Sequence, residues 1–162
     1  AADDFNVQVD VAAAATVFAQ ASPTLVPLSV TVETQLRRAH LPALRRAGGL
    51  AALLARQAEL QARDERTAER WMRPYPALPD DGLAFLHDPL AGAVAVGWRE
   101  GVRLESLPVV TEPRDGLVHQ RVEAGGRPTE VVVAVDGPAF AERWLRVVCG
   151  RGRSEPRSAS RG

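Results

Sequence analysis

Hydrophobic and polar positions in the first part of the chain follow the periods of a strand, a helix and a second strand. Phe5–Val9 alternates apolar and polar residues, which predicts a strand. Asp10 is a suitable N-cap for the Ala-rich segment Val11–Gln20, where we expect a helix. Thr24–Thr31 is almost continuously apolar, as in a buried parallel strand, and Pro27 should lie near its end or edge. This order predicts a βαβ unit with a right-handed crossover.

Helical spacing dominates the middle of the chain. Pro42 is expected to begin a short helix that the Gly48-Gly49 pair ends. Leu50–Trp71 repeats apolar residues at helical spacing and becomes charged in its second half, which predicts an amphipathic helix with one face in the core. A Pro-rich loop follows, and the next helix is expected from Pro89 to about Val96.

The last part of the chain has the pattern of an antiparallel sheet. Three β-rich runs, VRLESLPVV, LVHQRVEA and TEVVVAVD, are separated by the turn sequences PRDG and AGGRP. A closing helix is predicted over PAFAERWLRVV. The expected fold is α/β: part of an open, mostly parallel sheet with flanking helices, then a small antiparallel group and a closing helix. We expect one α/β domain over residues 1–148 and a disordered basic tail over residues 149–162, which are rich in Arg, Gly and Ser.

Composition narrows the class of partner. The chain has 162 residues, with 20 basic residues against 20 acidic ones and no net charge. Attraction to nucleic acid or to an anionic membrane therefore has little support. No apolar run reaches the roughly 20 residues of a membrane span, and no signal peptide is visible. Cys149 is the only cysteine, so neither an internal disulfide nor a cysteine metal cage can form. These features favour a globular cytoplasmic protein.

His87 and Asp88 precede the predicted helix at Pro89 and allow two interpretations. Asp before Pro is a common helix N-terminus, in which the carboxylate accepts from amides of the first turn. In an open α/β sheet, however, ligands bind at loops beyond the strand ends. There the Asp88 carboxylate would suit a hard cation, and the His87 imidazole would suit proton transfer near neutral pH. One carboxylate could serve both roles.

A second polar group lies at the start of the chain. Asp4 and Asn6 would project to the same side of a strand, where a carboxylate and an amide suit a sugar diol. Asn6 is the only asparagine and interrupts a strand-like run, in which this residue is uncommon. Acidic residues near a terminus are, however, usually solvated.

The other candidates lack a catalytic pattern. Ser29 lies outside any Gly-x-Ser-x-Gly sequence, so we expect it to be structural. His40 and His119 have no ligand spacing and are expected at the surface or in strands. Tyr75, in the Pro-rich loop, would either cover a ligand or lie on the surface.

In this order, the motifs resemble those of the inosine–uridine-preferring nucleoside hydrolases. The segments DFNVQVD, VPLSVT and HDPLA are similar to the family patterns E-F-N-x-x-x-D, V-P-L-D-V-T and H-D-P-x-A, and VVVAVDGPAF follows. The resemblance covers residues 3 to 148 and the C-terminal half of the family. The chain departs from the family at Asp4 (usually Glu), Val11 (Pro), Ala12 (Glu) and Ser29 (Asp).

The resemblance implies hydrolysis of the N-glycosidic bond of ribonucleosides to ribose and free base, with a calcium ion that activates water. By resemblance, Asp88 would bind calcium and substrate, and His87 would be the catalytic proton donor to the leaving base. Asn6 would bond the ribose, and Asp4 would reach the 5′-hydroxyl side.

The family pattern D-x-D-x-x-x-D-D, which supplies most calcium carboxylates and the general base, does not occur in these 162 residues. Calcium takes about 6 to 8 oxygen ligands, so Asp88 alone cannot build the site and we expect negligible hydrolysis by the chain alone. Two accounts stay open: the C-terminal part of a hydrolase, or a non-catalytic relative that binds a nucleoside or a protein. The first predicted strand would also lack neighbours, so we expect a homo-oligomer or a partner that supplies the missing half.

Overall fold

The computed structural model describes residues 5–63, 75 and 77–150. The chain divides into two compact units, residues 1–34 with 86–137 and residues 35–85 with 138–162. In chain order the described elements are α1 (Phe5–Gln8), α2 (Val11–Gln20), α3 (Leu28–Thr31), β1 (Gln35–Arg37), a 3-10 turn (Arg38–His40), α4 (Leu41–Ala47), α5 (Gly49–Arg63), β2 (Gly82–Phe85), α6 (His87–Ala95), β3 (Val102–Arg114), β4 (Leu117–Val122), β5 (Arg127–Val135) and α7 (Gly137–Gly150).

A three-stranded antiparallel sheet organises the first unit, with β3 between β4 and β5. Asp115 and Gly116 join β3 to β4 in a two-residue turn, and both have positive φ, 53° and 75°, as a tight hairpin turn requires. Helix α2 packs on β3 and β4, and α3 packs on β5. The sheet side of the core includes Val109, Val118 and Val132. The antiparallel group predicted from the sequence is therefore confirmed.

Helix α2 is also confirmed, because it runs from Val11 to Gln20 as predicted. The Asp10 carboxylate accepts from the Ala13 N–H at 2.9 Å. That bond satisfies one of the amides that a helix N-terminus leaves unpaired.

The α/β class is confirmed, but the mostly parallel sheet is not found in the described residues. Thr24–Thr31 was predicted as a strand, and this prediction is wrong, because the segment forms helix α3 from Leu28 onward. Before that helix, Leu25 makes a single parallel bridge with Val131. Pro27 has no N–H with which to extend the bridge, and the chain turns into α3 directly after it.

The predicted strand Phe5–Val9 is wrong as well, since its first four residues form the helical turn α1. A side chain of this turn forms hydrogen bonds with the edge strand of the sheet, in the place of a neighbouring strand. The Gln8 amide donates from Nε2 to the Val118 carbonyl and accepts at Oε1 from the Val118 N–H, both at 2.9 Å. One amide side chain thus pairs an edge residue of β4, and the predicted βαβ unit is absent from the described residues.

The second unit contains the antiparallel pair β1 and β2, with α5 packed on α4 and on β2. Both predicted helices of this region are confirmed, and Gly48, at φ 71°, ends α4. The buried face of α5 consists of Ala51, Ala55 and Ala58. Beyond Arg63, the predicted extension to Trp71 lies outside the described residues.

Helix α7 matches the predicted closing helix and continues through Cys149 to Gly150. Of the tail predicted over residues 149–162, Cys149 and Gly150 belong to α7, and residues 151–162 lie outside the described residues. No described helix is both long and apolar enough to span a membrane.

Candidate active site

All predicted site residues that the structure describes belong to the first unit. His87 and Asp88 open α6, which packs on α3. Asn6 is exposed on α1, which packs on α2 and β4. Asp4 lies outside the described residues. The structure therefore places His87 and Asp88 at one helix start and Asn6 on an element with other neighbours.

The start of α6 is fixed by a backbone bond from a distant part of the chain. The Leu86 N–H donates to the Thr34 carbonyl at 2.9 Å, and Leu86 is the N-cap of α6. No side chain caps this helix, so of the two interpretations of Asp88, the one that makes its carboxylate the helix cap is wrong. Asp88 instead lies exposed in the first turn, where the positive end of the helix dipole favours a carboxylate.

The His87 imidazole is held at one ring nitrogen. Its Nδ1 lies 2.6 Å from the hydroxyl oxygen of Thr31, the last residue of α3. Thr31 is 4% exposed, whereas His87 is half-buried. A histidine anchored at one nitrogen in this way has a fixed ring orientation, which is what acid–base chemistry requires.

Thr31 was not among the residues predicted for the site. It ends the VPLSVT motif, and the motif was interpreted as a strand, which gives Thr31 no particular partner. As the last residue of a helical turn it instead reaches a residue 56 positions later. The sequence signal that could have pointed to Thr31 was its place in the VPLSVT motif, ahead of HDPLA. The contact between Thr31 and His87 itself depends on tertiary structure.

Calcium is the ion that the resemblance implies, and the described residues do not fit a complete site for it. Within residues 5–63, 75 and 77–150, no group of three or more His, Cys, Asp or Glu side chains could hold a metal. An all-oxygen calcium site takes about 6 to 8 ligands. Asp88 could supply one or two of these oxygens, so the remainder must come from other residues.

A cavity of about 420 Å³ lies elsewhere in the first unit, between the end of α2 and the sheet. Phe18, Val109 and Gln120 are among its lining residues. Arg127 stands at its wall and donates to the Phe18 and Ala19 carbonyls, both at 2.9 Å. Neither Asn6, His87 nor Asp88, the predicted site residues that the structure describes, lines this cavity, so it does not serve as their substrate pocket.

The other sequence candidates have structural surroundings. His40 was expected at the surface or in a strand, and this is wrong, because it is 8% exposed in the 3-10 turn. Its Nδ1 accepts from the Arg37 N–H at 3.1 Å. His119 lies in β4, as one of the two alternatives had it. Tyr75 packs edge-to-face on Phe85, with ring centroids 5.8 Å apart.

Comparison with known proteins finds one matching family. Residues 1–142 match the model of the inosine-uridine preferring nucleoside hydrolases. Among curated proteins, no sequence matches the chain.

Two solved structures share the fold. A purine-preferring ribonucleoside hydrolase from Gardnerella vaginalis is 22% identical with a TM-score of 0.63, over 83% of this chain and 42% of that one. A plant nucleoside hydrolase, PpNRh1, is 20% identical with a TM-score of 0.69, over 91% of this chain and 48% of that one. The chain thus spans less than half the length of either structure.

Proposed function

Since the chain belongs to the inosine-uridine preferring nucleoside hydrolase family, we propose that it takes part in hydrolysis of the N-glycosidic bond of ribonucleosides. The products would be ribose and the free base. The observation that supports this most is the anchored His87 imidazole at the start of α6, 2.6 Å from the Thr31 hydroxyl. Because the chain spans less than half of its solved relatives, the proposal concerns one part of such an enzyme.

His87 is the proposed catalytic proton donor. When the glycosidic bond breaks, its electron pair leaves with the base, and negative charge develops on a ring nitrogen. A proton delivered to that nitrogen stabilises the leaving group, and imidazole is suited to this transfer near neutral pH. Water adds to the anomeric carbon of the sugar. No described residue is proposed as the base that takes the proton of this water.

Asp88, Asn6 and Asp4 are the proposed substrate contacts. Asp88 is exposed beside His87, and we assign it to ribose hydroxyls and to a calcium ion that other residues complete. Asn6, also exposed, would bond the ribose, and Asp4 would reach the 5′-hydroxyl side. Since the described residues form no complete calcium site, they support no step through the ion.

Residues beyond these 162 are proposed to complete the site, either in a longer polypeptide or in a partner chain, with a homo-oligomer as the alternative. We place the protein in the cytoplasm. A second candidate function is nucleoside binding or protein interaction without catalysis. It is favoured by the lack of a metal-holding group among the described residues.

Base release from inosine and uridine tests the proposal. The coding sequence upstream of Ala1 is first inspected for D-x-D-x-x-x-D-D, and the longest encoded polypeptide is then assayed with and without calcium. His87→Ala is expected to lower kcat by about 10²- to 10⁴-fold, the usual contribution of a general acid. Asp88→Ala should abolish the increase in base release that calcium produces.

Asp80→Ala is the matched control, because Asp80 is an exposed carboxylate in the second unit. Its activity should equal that of the parent protein. If His87→Ala and Asp88→Ala hydrolyse nucleosides as fast as Asp80→Ala, the chemistry belongs to other residues. If no polypeptide is active but nucleoside binding is measurable, the binding module is the function.

A further inference from the structure

The Thr31 hydroxyl faces two partner atoms with a single hydrogen. Its oxygen lies 2.6 Å from Nδ1 of His87 and 3.2 Å from the Leu28 carbonyl oxygen. A hydroxyl has only one O–H donor, so it can donate to only one of these atoms at a time.

The two distances favour one acceptor over the other. The contact to Nδ1 of His87 is 2.6 Å, whereas the contact to the Leu28 carbonyl oxygen, at 3.2 Å, is longer than the usual range of about 2.5–3.0 Å between an O–H donor and an oxygen acceptor. A hydroxyl hydrogen directed at Nδ1 fits this geometry. A neutral imidazole that accepts at Nδ1 carries its hydrogen on Nε2.

The backbone around this pair is tied together by buried groups. The hydroxyl of Thr34, which is 0% exposed, donates to the Thr31 carbonyl at 2.7 Å. The Thr34 carbonyl in turn accepts from the N–H of Leu86, which directly precedes His87. Thr34 therefore links Thr31, which contacts the imidazole, to the start of α6, which bears His87. These hydrogen bonds limit the movement of Thr31 and of α6 relative to each other.

We propose that Thr31 is a positioning residue that turns Nδ1 of His87 inward and makes Nε2 the nitrogen whose hydrogen is donated. The catalytic meaning of this arrangement rests on the proposed function, whereas the tautomer is a property of the chain itself. In the doubly protonated ring, Nδ1–H donates to the Thr31 oxygen and the hydroxyl hydrogen turns to the Leu28 carbonyl. The proton then passes from Nε2 to the leaving base, and the ring is left neutral with its hydrogen on Nδ1.

The test reads the His87 tautomer by nitrogen-15 NMR of the ring, without substrate. Spectra are recorded at about pH 9, where imidazole is neutral. The chain has three histidines, and the resonances that disappear in His87→Gln identify His87. His40 is an internal reference, because its Nδ1 accepts from the Arg37 N–H at 3.1 Å and must also leave the hydrogen on Nε2.

Three variants separate the hydroxyl from its surroundings. Thr31→Val removes the hydroxyl at nearly constant volume, and Thr31→Ser retains it. Thr16→Val is the control, since it removes a threonine hydroxyl of α2 that bonds the Ala12 carbonyl at 2.9 Å and takes no part in the turn around His87. Dispersed amide spectra and thermal unfolding show whether each variant folds.

We expect His87 to carry its hydrogen on Nε2 in the parent chain, in Thr31→Ser and in Thr16→Val. In Thr31→Val the Nδ1 resonance should move toward the protonated range, because the bond that favours hydrogen on Nε2 is removed. The proposal is overturned by hydrogen on Nδ1 in the parent chain, or by an unchanged His87 spectrum in folded Thr31→Val. If Thr31→Val does not fold, the parent chain and Thr31→Ser still decide the tautomer. Since no turnover is measured, an inactive protein would contradict the proposed function and leave this result intact.

Discussion

Among single residues, Gly137 and Gly92 show how differently two glycines constrain this chain. A Cβ at Gly137 would overlap the carbonyl oxygen of Glu33, so the backbone of one residue occupies the place of a side chain on the other. Gly92, inside α6, has no atom within 4 Å of such a Cβ. Position 137 therefore requires glycine, because the Glu33 backbone lies too close for a side chain. Gly92 meets no such contact, and it only increases the backbone entropy that α6 loses on folding.

Alanine at these two positions should change stability in opposite directions. Gly137→Ala forces the backbone to shift and should lower the free energy of unfolding by about 1–3 kcal/mol, the usual cost of overpacking. Gly92→Ala should raise it by about 0.5–1 kcal/mol, because alanine is the better helix former. Urea unfolding followed by circular dichroism measures both. A tolerated Gly137→Ala would show that Glu33 does not approach this closely.

Helices of this chain differ in whether neighbouring residues or distant residues determine where they begin. Asp10 and Asp88 both precede apolar helical patterns. Asp10 was expected as a cap, and capping was one of two interpretations of Asp88. Asp10 does cap α2, and its bond to Ala13 spans three residues. The start of α6 depends on the bond from Leu86 to Thr34, which no local pattern contains. The conformation of Phe5–Val9 also depends on distant residues. Its alternation of apolar and polar residues is typical of a strand, but a strand forms only where a partner strand is present.

The two aspartates should therefore contribute unequally to stability. Asp10→Ala loses a side-chain cap and should lower the free energy of unfolding by about 1 kcal/mol. Asp88→Ala loses only an exposed interaction with the helix dipole, about 0.3 kcal/mol and less as salt is added. Urea titrations of both variants at two salt concentrations provide the comparison. Equal losses would mean that Asp88 caps α6 after all.

For the whole molecule, the sequence was sufficient to predict the α/β class, the antiparallel group and the family. Those features rest on periodicity, turn residues and ordered motifs, all of which are local. The anchoring of His87 by Thr31 was not predicted, because it joins residues 56 positions apart. The mostly parallel sheet was not found in the described part of the chain either, because Leu25 forms only one bridge there before Pro27 and α3.

The central proposal is that this chain contributes the His87–Asp88 part of a nucleoside hydrolase site and that other residues complete it. It is supported by the family match, by the share of its relatives that the chain spans and by the lack of a metal-holding group among the described residues. The most direct test compares hypoxanthine release from inosine, with calcium, by residues 1–162 alone and by a polypeptide that joins them to a segment bearing D-x-D-x-x-x-D-D. We predict no release by the chain alone and His87-dependent release by the joined polypeptide. Calcium-dependent release at equal rates by both would contradict the account.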